Sequence, residues 1–419
     1  MTKHIKRRLL IALDSIDVND SSGTKGRVAL IQNMVKLGYD LTVLHYTQKD
    51  LSIPGAQCIS VKENRRSWYF FMSRLQRYIY RWFKWNISEY QERRNGFSFT
   101  WKNDASAFAK AIKSYEPAQF DMLWTFGKGT SFRAHAGTLL VPSWHSKWYA
   151  YVHDPYPQHL YPRPYNFVEA GYKKKRYFFR DITEKAKYMV FPSALLRDWM
   201  QSYFVAIENK ALIVPHQIAE VGAAHEEQAT SPSQDLFTLL HAGNLLDLRD
   251  PKPIVEAYKL FLKEVPEAKG NSELRFIGKP SMFDPYLKQE QASLPSLKLS
   301  DGYVAFEKVH RLQQDAKVNI ILEAKSEISP FLPGKFAHCV AANAPILLVG
   351  PYYSECKRLL GKNYPYSFEF SEIENISAAM ITLYTAWKQG NTERLNRADL
   401  KEYLTEPYLL KTIENSLTA

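Results

Sequence analysis

A chain of 419 residues exceeds one ordinary core and calls for two domains, while 45% hydrophobic and 23% charged residues exclude a disordered or fibrous protein. Its three cysteines, Cys58, Cys339 and Cys356, stand far apart without a CxxC spacing, which excludes a disulfide scaffold and leaves a zinc site unsupported, so a reducing compartment and no metal are expected. The net charge of +12 is uneven: residues 1–215 carry 33 basic and 17 acidic side chains and the remainder 22 and 26, so the first half attracts phosphates, whether of nucleotides, anionic lipid or nucleic acid.

The basic start followed by Leu9–Leu13 mimics a signal peptide, but the apolar run is short and stops at Asp14, so it reads as a first strand. No apolar run reaches the roughly 18 residues of a membrane span. Ser22-Gly23-Thr24-Lys25-Gly26-Arg27 then stands between that strand and a helix carrying Val28, Ile31, Met34 and Val35. Gly23 and Gly26 would let the backbone approach a ligand, and a helix amino terminus attracts an anion, so the stretch is a candidate phosphate loop or, alternatively, a tight strand-to-helix turn. It matches neither the dinucleotide nor the Walker glycine spacing, which removes the main support for those readings. Strands follow at Leu41–Tyr46 and Gln57–Val61.

An insertion near residues 64–100 is basic and aromatic: between Glu63 and Glu89 there is no acidic residue. On a helix, Arg74, Arg77, Arg81 and Lys84 share one face, and Trp68, Phe71, Met72, Leu75, Ile79, Trp82 and Phe83 the other. One reading docks this face on an anionic membrane, with Trp68, Phe71, Arg74, Arg77, Arg81, Trp82 and Lys84 toward the lipid and Lys173–Arg176 adding to the surface. The other packs the apolar stripe on the first domain's sheet and leaves the arginines solvated. Nucleic acid has only charge and aromatic content behind it and is not expected as a partner.

Further strands are expected at Met122–Thr125, Tyr149–His153, Tyr188–Phe191 and Ala211–Val214. His153 and Asp154 close the second of these, with Pro155 stopping it. Such a pair can orient a proton or hydrogen-bond a sugar hydroxyl, or can simply shape a turn. Residues 217–235 read as a linker. Strands resume at Phe237–Ala242, Arg275–Gly278, Val318–Leu322 and Ile346–Val349, and the tail from Ser371 is helical, with Ile373, Ile376, Met380, Leu383 and Tyr384 on one face. The alternation predicts an α/β fold of two doubly wound, Rossmann-like parallel-sheet domains facing a cleft, residues 1–216 and 236–419, the last helix packing back on the first domain.

In the second domain cations gather at strand ends: Gly243-Asn244 followed by Arg249, then Lys279, then Pro333-Gly334-Lys335 opening a helix that carries His338. A guanidinium after a strand can grip a diphosphate, and a lysine in a first helical turn opposes the helix dipole unless an anion sits there.

Taken together, Ala242-Gly243-Asn244 with Arg249-Asp250-Pro251, Ile277-Gly278-Lys279, and Pro333-Gly334-Lys335 with Ala344-Pro345-Ile346 resemble the donor domain of family-4 glycosyltransferases of the GT-B architecture. Gly23 to Arg27, Leu37–Val43, His153-Asp154, Phe191-Pro192-Ser193 and Ile213–His216 follow that family's order in the first domain. The resemblance spans nearly the whole chain, on motifs that are individually short. It implies a cytoplasmic enzyme, peripheral on the inner face of the membrane, that moves a sugar from a nucleotide sugar to a glycan or lipid-linked hydroxyl in bacterial surface polysaccharide or glycoprotein assembly. By that resemblance Gly243, Asn244, Arg249, Lys279, Gly334, Lys335 and His338 bind the donor, His153 and Asp154 stand at the reaction, and no metal or cofactor is required; retention is favoured. One departure is plain: where many members carry a pair of glutamates, this chain has Phe331 and His338. A catalytically silent sugar-nucleotide binder or scaffold of the same fold is the alternative.

Overall fold

The computed structural model describes residues 7–219, 236–246, 248–278, 282–302 and 304–418. Lys279 and most of the expected linker, residues 220–235, lie outside the described residues. The chain divides into two compact units: Met1–Tyr161 with Tyr165–Gln217 and Thr405–Ala419, and Pro162–Pro164 with Ile218–Leu404.

The first unit is a seven-stranded parallel sheet built from β1 (Arg8–Leu13), β2 (Asp40–His45), β3 (Gln57–Ser60), β4 (Met122–Phe126), β5 (Trp148–Tyr151), β6 (Tyr188–Phe191) and β7 (Ala211–Ile213), in the order β3-β2-β1-β4-β5-β6-β7. Leu9 to Leu13 and Met122 to Phe126 are buried on both faces, the pattern of central strands covered by helices on either side. Those helices are α1 (Ser22–Lys36), α2 (Trp68–Phe83), α3 (Ile87–Asn95), α4 (Phe99–Lys113), α5 (Arg133–Leu139), α6 (Tyr172–Lys185) and α7 (Ala194–Gln201).

One expectation is corrected here, and one of the two readings of the insertion falls away. Ser22–Arg27, expected as a loop, forms the first turns of α1, because Ser21 Oγ accepts the Thr24 N–H at 3.2 Å and starts the helix there. The connecting loop is therefore residues 14–21. The aromatic stripe of α2 does not pack on the sheet: Trp68, Phe71 and Trp82 are 67%, 55% and 65% exposed, and Ser73 is the buried residue of the helix. Met72 and Ile79 of that stripe are half-buried beside Ser73, and polar contacts add to the seat, Ser67 Oγ donating to Asn103 Oδ1 of α4 and Lys102 lying 5.9 Å from the Tyr69 ring.

The second unit holds β8 (Phe237–Ala242), α8 (Lys252–Glu264), α9 (Ala268–Asn271), β9 (Ser272–Ile277), α10 (Asp284–Ser293), β10 (Leu297–Leu299), α11 (Phe306–Asp315), β11 (Val318–Leu322), β12 (Ile328–Ser329), α12 (Gly334–Ala342), β13 (Ile346–Val349), β14 (Tyr353–Ser354), α13 (Glu355–Leu360), β15 (Ser367–Phe368), α14 (Ile373–Lys388) and α15 (Ala398–Tyr403). Its main sheet is parallel in the order β10-β9-β8-β11-β13-β15. Ile376, Met380, Leu383 and Tyr384 of α14 are buried in the core with Phe237 and Phe261. The edge strands β10 and β15 are short and have no apolar run of their own to announce them.

The final helix, α16 (Glu406–Thr418), belongs to the first unit. Leu409 and Ile413 are buried on the face of the sheet that α1 covers, Ser416 Oγ lies 2.9 Å from Tyr149 Oη, and Glu414 pairs with Arg7 at 3.1 Å.

Candidate functional site

Ligands of open parallel sheets bind at the carboxyl ends of strands where the strand order reverses. In the first unit that point lies between β1 and β4, both of which pair with neighbours on either side of it. Asp14 directly follows β1, Gly127 follows β4, His153 and Asp154 come just after β5, and His216 comes after β7. Helix α1 adds Thr24 and Arg27, both buried. The Arg27 guanidinium donates to Gly127 O at 3.1 Å and to Thr24 Oγ1 at 2.8 Å, so it ties α1 to the loop after β4 at the reversal.

The His153 and His216 rings lie parallel, 4° apart, with centroids 5.7 Å apart, and His153 also packs on Tyr151 at 4.3 Å. Burial drives His153 well below its ordinary pKa, with Arg27 and His216 acting in the same direction. Burial likewise lowers His216 to about 4. Both imidazoles are therefore neutral near pH 7, each able to donate one hydrogen bond and accept another. Burial raises Asp154 to about 6 against the pull of Arg27, and raises Asp14 against Arg133, Arg27 and Lys128. The two predicted glycines have different duties. A Cβ on Gly26 would stand 3.3 Å from His216 Nδ1, so Gly26 is the place where α1 passes that ring, whereas Gly23 is exposed beside Arg27.

In the second unit the order reverses between β8 and β11. Strand β8 delivers His241, then Gly243 at φ +142°, a conformation that side chains rarely adopt. A Cβ on Gly243 would lie 2.6 Å from Lys335 Nζ, and one on Gly278 would lie 2.6 Å from Gly243 O, so both strand ends approach too closely for larger residues. Lys335, in the first turn of α12, places Nζ 3.3 Å from His241 Nε2. Arg249 reaches into the same loop, its Nη1 donating to Asn244 O at 3.3 Å.

Burial lowers the Lys335 ammonium to about 7, with Arg249 adding repulsion. Burial, then Lys335 and Arg249, hold His241 well below its ordinary value. None of the ion pairs among the described residues involves Lys335. Two cationic side chains and a helix amino terminus thus converge on one backbone turn, an arrangement that favours an anion with two or more oxygens. Gly334 is exposed at the start of α12. His338, one turn further, packs on Phe306 at 5.1 Å and His310 at 5.7 Å. Lys279 lies outside the described residues.

Sequence reading gave no role to several residues at these points. Glu323 follows β11 and is buried; its carboxylate accepts from Ser329 Oγ at 2.8 Å and from Ser354 Oγ, and burial raises it to about 6. His241, His216 and Arg27 were visible only as letters in longer motifs. The usable signal was a polar residue at the end of an apolar strand. Among the described residues no group of three or more His, Cys, Asp or Glu is placed to hold a metal ion.

Solved structures share this architecture over their full length. TarM matches with a TM-score of 0.66 at 10% identity, covering 100% of both chains. An α,α-trehalose-phosphate synthase (UDP-forming) from Burkholderia xenovorans, in complex with glucose-6-phosphate, matches at 0.63 and 11% identity over 98% of this chain and 100% of its own. A glycosyltransferase from Rickettsia africae ESF-5 matches at 0.61 and 11% identity over 99% and 98%. The chain has the GT-B fold. No protein-family model matches the sequence, and no curated protein matches it. The GT-B likeness is therefore one of architecture, carried by two parallel sheets of seven and six strands.

Proposed function

We propose that this GT-B chain is a glycosyltransferase that moves a sugar from a nucleoside diphosphate donor to a hydroxyl of a glycan or lipid-linked acceptor, in bacterial surface polysaccharide or glycoprotein assembly. The observation that carries the reading is the meeting of Lys335, Arg249 and the Gly243 turn in the second unit. A diphosphate there supplies the counter-charge that Lys335 lacks. As the bond between the anomeric carbon and the phosphate oxygen breaks, the diphosphate keeps the electron pair, and cations already in place stabilise the growing charge without reorganisation. The acceptor oxygen forms the new bond to that carbon and gives up its proton. In the first unit, neutral His153 positions a sugar hydroxyl and Asp154 takes part in the proton's removal. Fixed cations serve the leaving group, so this reading needs no metal; retention follows from the family resemblance.

A silent sugar-nucleotide binder is the second reading, favoured by Phe331 and His338 standing where many family-4 members carry glutamates. A thermal-shift screen of nucleoside diphosphates and nucleotide sugars, followed by donor turnover in wild type and Arg249→Ala, separates the cases. Stabilisation with turnover that Arg249→Ala abolishes supports the enzyme. Stabilisation without turnover supports the binder. No stabilisation by any nucleoside diphosphate removes both.

A further inference from the structure

Helix α2 turns its largest apolar side chains to solvent. Its less exposed side carries Tyr69, Met72, Ser73, Gln76 and Ile79, and the opposite side presents Trp68, Phe71, Leu75, Tyr78 and Trp82 as a continuous ridge to solvent. These five recur at three- and four-residue spacing, so they form one line along the helix. An apolar ridge of this size, left uncovered, marks a docking surface.

The surroundings of the ridge say what covers it. Arg74 and Arg81 sit a quarter-turn away along one flank, Lys84 closes the helix, and all three are exposed. The nearest acidic neighbours in sequence are Glu63 and Glu89, outside the helix; Glu63 lies 3.8 Å from Arg74 and 3.3 Å from Arg65, so one carboxylate is shared by two of the arginines. At the amino end of α2 a cavity of about 490 Å³ is lined by Lys62, Arg65, Arg66 and Lys110, with Glu63 as the single carboxylate. All four of those cations are exposed. The same surface continues beyond α2: Gly96 at the end of α3 abuts Lys174 of α6, which displays Lys173, Lys174, Arg176 and Arg180 with Tyr172 and Tyr177. An exposed strip rich in Trp and Tyr, flanked by arginines and a lysine, has the side-chain composition of a bilayer interface. A second copy of this chain would bring the same positive field against itself, and α2 carries no carboxylate to meet it.

We infer that α2 is an in-plane anchor for an anionic bilayer: the ridge enters the acyl boundary, Arg74, Arg81 and Lys84 lie at the phosphate level, and the cavity at Lys62, Arg65, Arg66 and Lys110 receives an anionic lipid headgroup. This inference goes beyond donor chemistry and does not depend on it, since lipid binding is read without any sugar nucleotide.

The test is vesicle flotation of the full chain with phosphatidylcholine alone and with phosphatidylcholine mixed with phosphatidylglycerol, at low and high salt. Wild type floats with the mixed vesicles, at least about tenfold more than with the neutral ones, and high salt releases it. The triple variant W68S/F71S/W82S and, separately, R74E/R81E lose this binding. Both alter exposed side chains, and both keep the wild-type circular dichroism, melting temperature and nucleoside diphosphate thermal shift. If the triple variant folds poorly, R74E/R81E carries the test alone. Wild type remaining in solution with both vesicle types overturns the inference, as does equal flotation of R74E/R81E. A wild-type dimer that the triple variant converts to monomer, without vesicle binding, also overturns it and assigns the ridge to a second copy. A donor thermal shift that persists while flotation fails leaves the transferase reading standing and removes only the anchor.

Discussion

Lys335 Nζ stands 3.3 Å from His241 Nε2, across 94 positions of sequence, and the two groups share one burial that neither can neutralise for the other. An imidazole held neutral can accept from an ammonium but cannot balance it. Above a pH of about 7 the pair carries one proton fewer than an exposed lysine would, and an arriving polyanion reverses that preference.

The first prediction follows from the sign of this shift. Folding lowers Lys335 from 10.5 to about 7, so the folded chain disfavours the ammonium, and this cost grows as pH falls from 10.5 toward 7. A bound diphosphate restores the charge. Affinity for a nucleoside diphosphate therefore falls as pH rises above about 7, by up to about tenfold per unit, and binding at pH 8 takes up close to one proton. Calorimetry in buffers of different ionisation enthalpy measures that uptake. Lys335→Arg, charged throughout, gives a flat affinity between pH 7 and 9; a flat wild-type curve would sink the argument.

Gly243→Ala tests the backbone half of the same site. At φ +142° the substitution is strained, and its methyl would occupy space 2.6 Å from Lys335 Nζ. The lysine end is flexible and moves, so the loss appears in the ligand more than in the fold. We expect nucleoside diphosphate binding weaker by about tenfold or more, with a melting temperature lower by a few degrees. Unchanged affinity would show that Lys335 does not need its position beside Gly243.

How much of this was legible in the sequence depended on the range of the interaction. Leu9–Leu13, Val318–Leu322 and Ile346–Val349 announce central strands because burial on both faces demands unbroken apolar runs. Gly243 and Lys335 stood out because a glycine after a strand and a lysine in a first helical turn each violate a local preference. That His241 is the lysine's neighbour could not be read, since the contact is made by the sheet order and not by local pattern. Period alone set Trp68, Phe71, Leu75 and Trp82 of α2 together but counted Met72 and Ile79 with them, although these two are half-buried, and it could not tell which side meets the protein; Asn103, from another helix, bonds Ser67 at its start. The start of α1 is not legible from its glycines because Ser21 sets the cap.

In the first unit the pH–rate profile assigns the two neighbours at the end of β5. His153 lies well below its ordinary pKa and stays neutral through the working range, while Asp154 titrates near 6. Turnover is expected to fall as pH drops through about 6 in wild type, and Asp154→Asn removes that acid limb along with most of the rate. His153→Ala lowers kcat by about 100-fold, leaves the limb in place and leaves the nucleoside diphosphate thermal shift unchanged. An acid limb that survives Asp154→Asn would move the titrating role elsewhere.

Glu323 gives the last prediction, one of stability. Folding raises its pKa from 4.5 to about 6 because burial outweighs the Ser354 and Ser329 hydrogen bonds. The protonated acid is the favoured form, so the benefit is complete below pH 4.5 and is lost as pH rises through 6, at a cost of about 2 kcal/mol by pH 8. Glu323→Gln keeps the shape without the charge. In urea melts it should equal wild type at pH 4.5 and exceed it at pH 8 by up to about 2 kcal/mol. Glu323→Ala instead leaves the Ser329 and Ser354 hydroxyls buried without their acceptor, and should lose about 2–4 kcal/mol at either pH. The ordering Gln above wild type above Ala at pH 8 is the outcome that matters. Should Gln prove as damaging as Ala there, the ionised carboxylate contributes more to this pocket than burial costs it, and Glu323 belongs with the binding groups of the second unit.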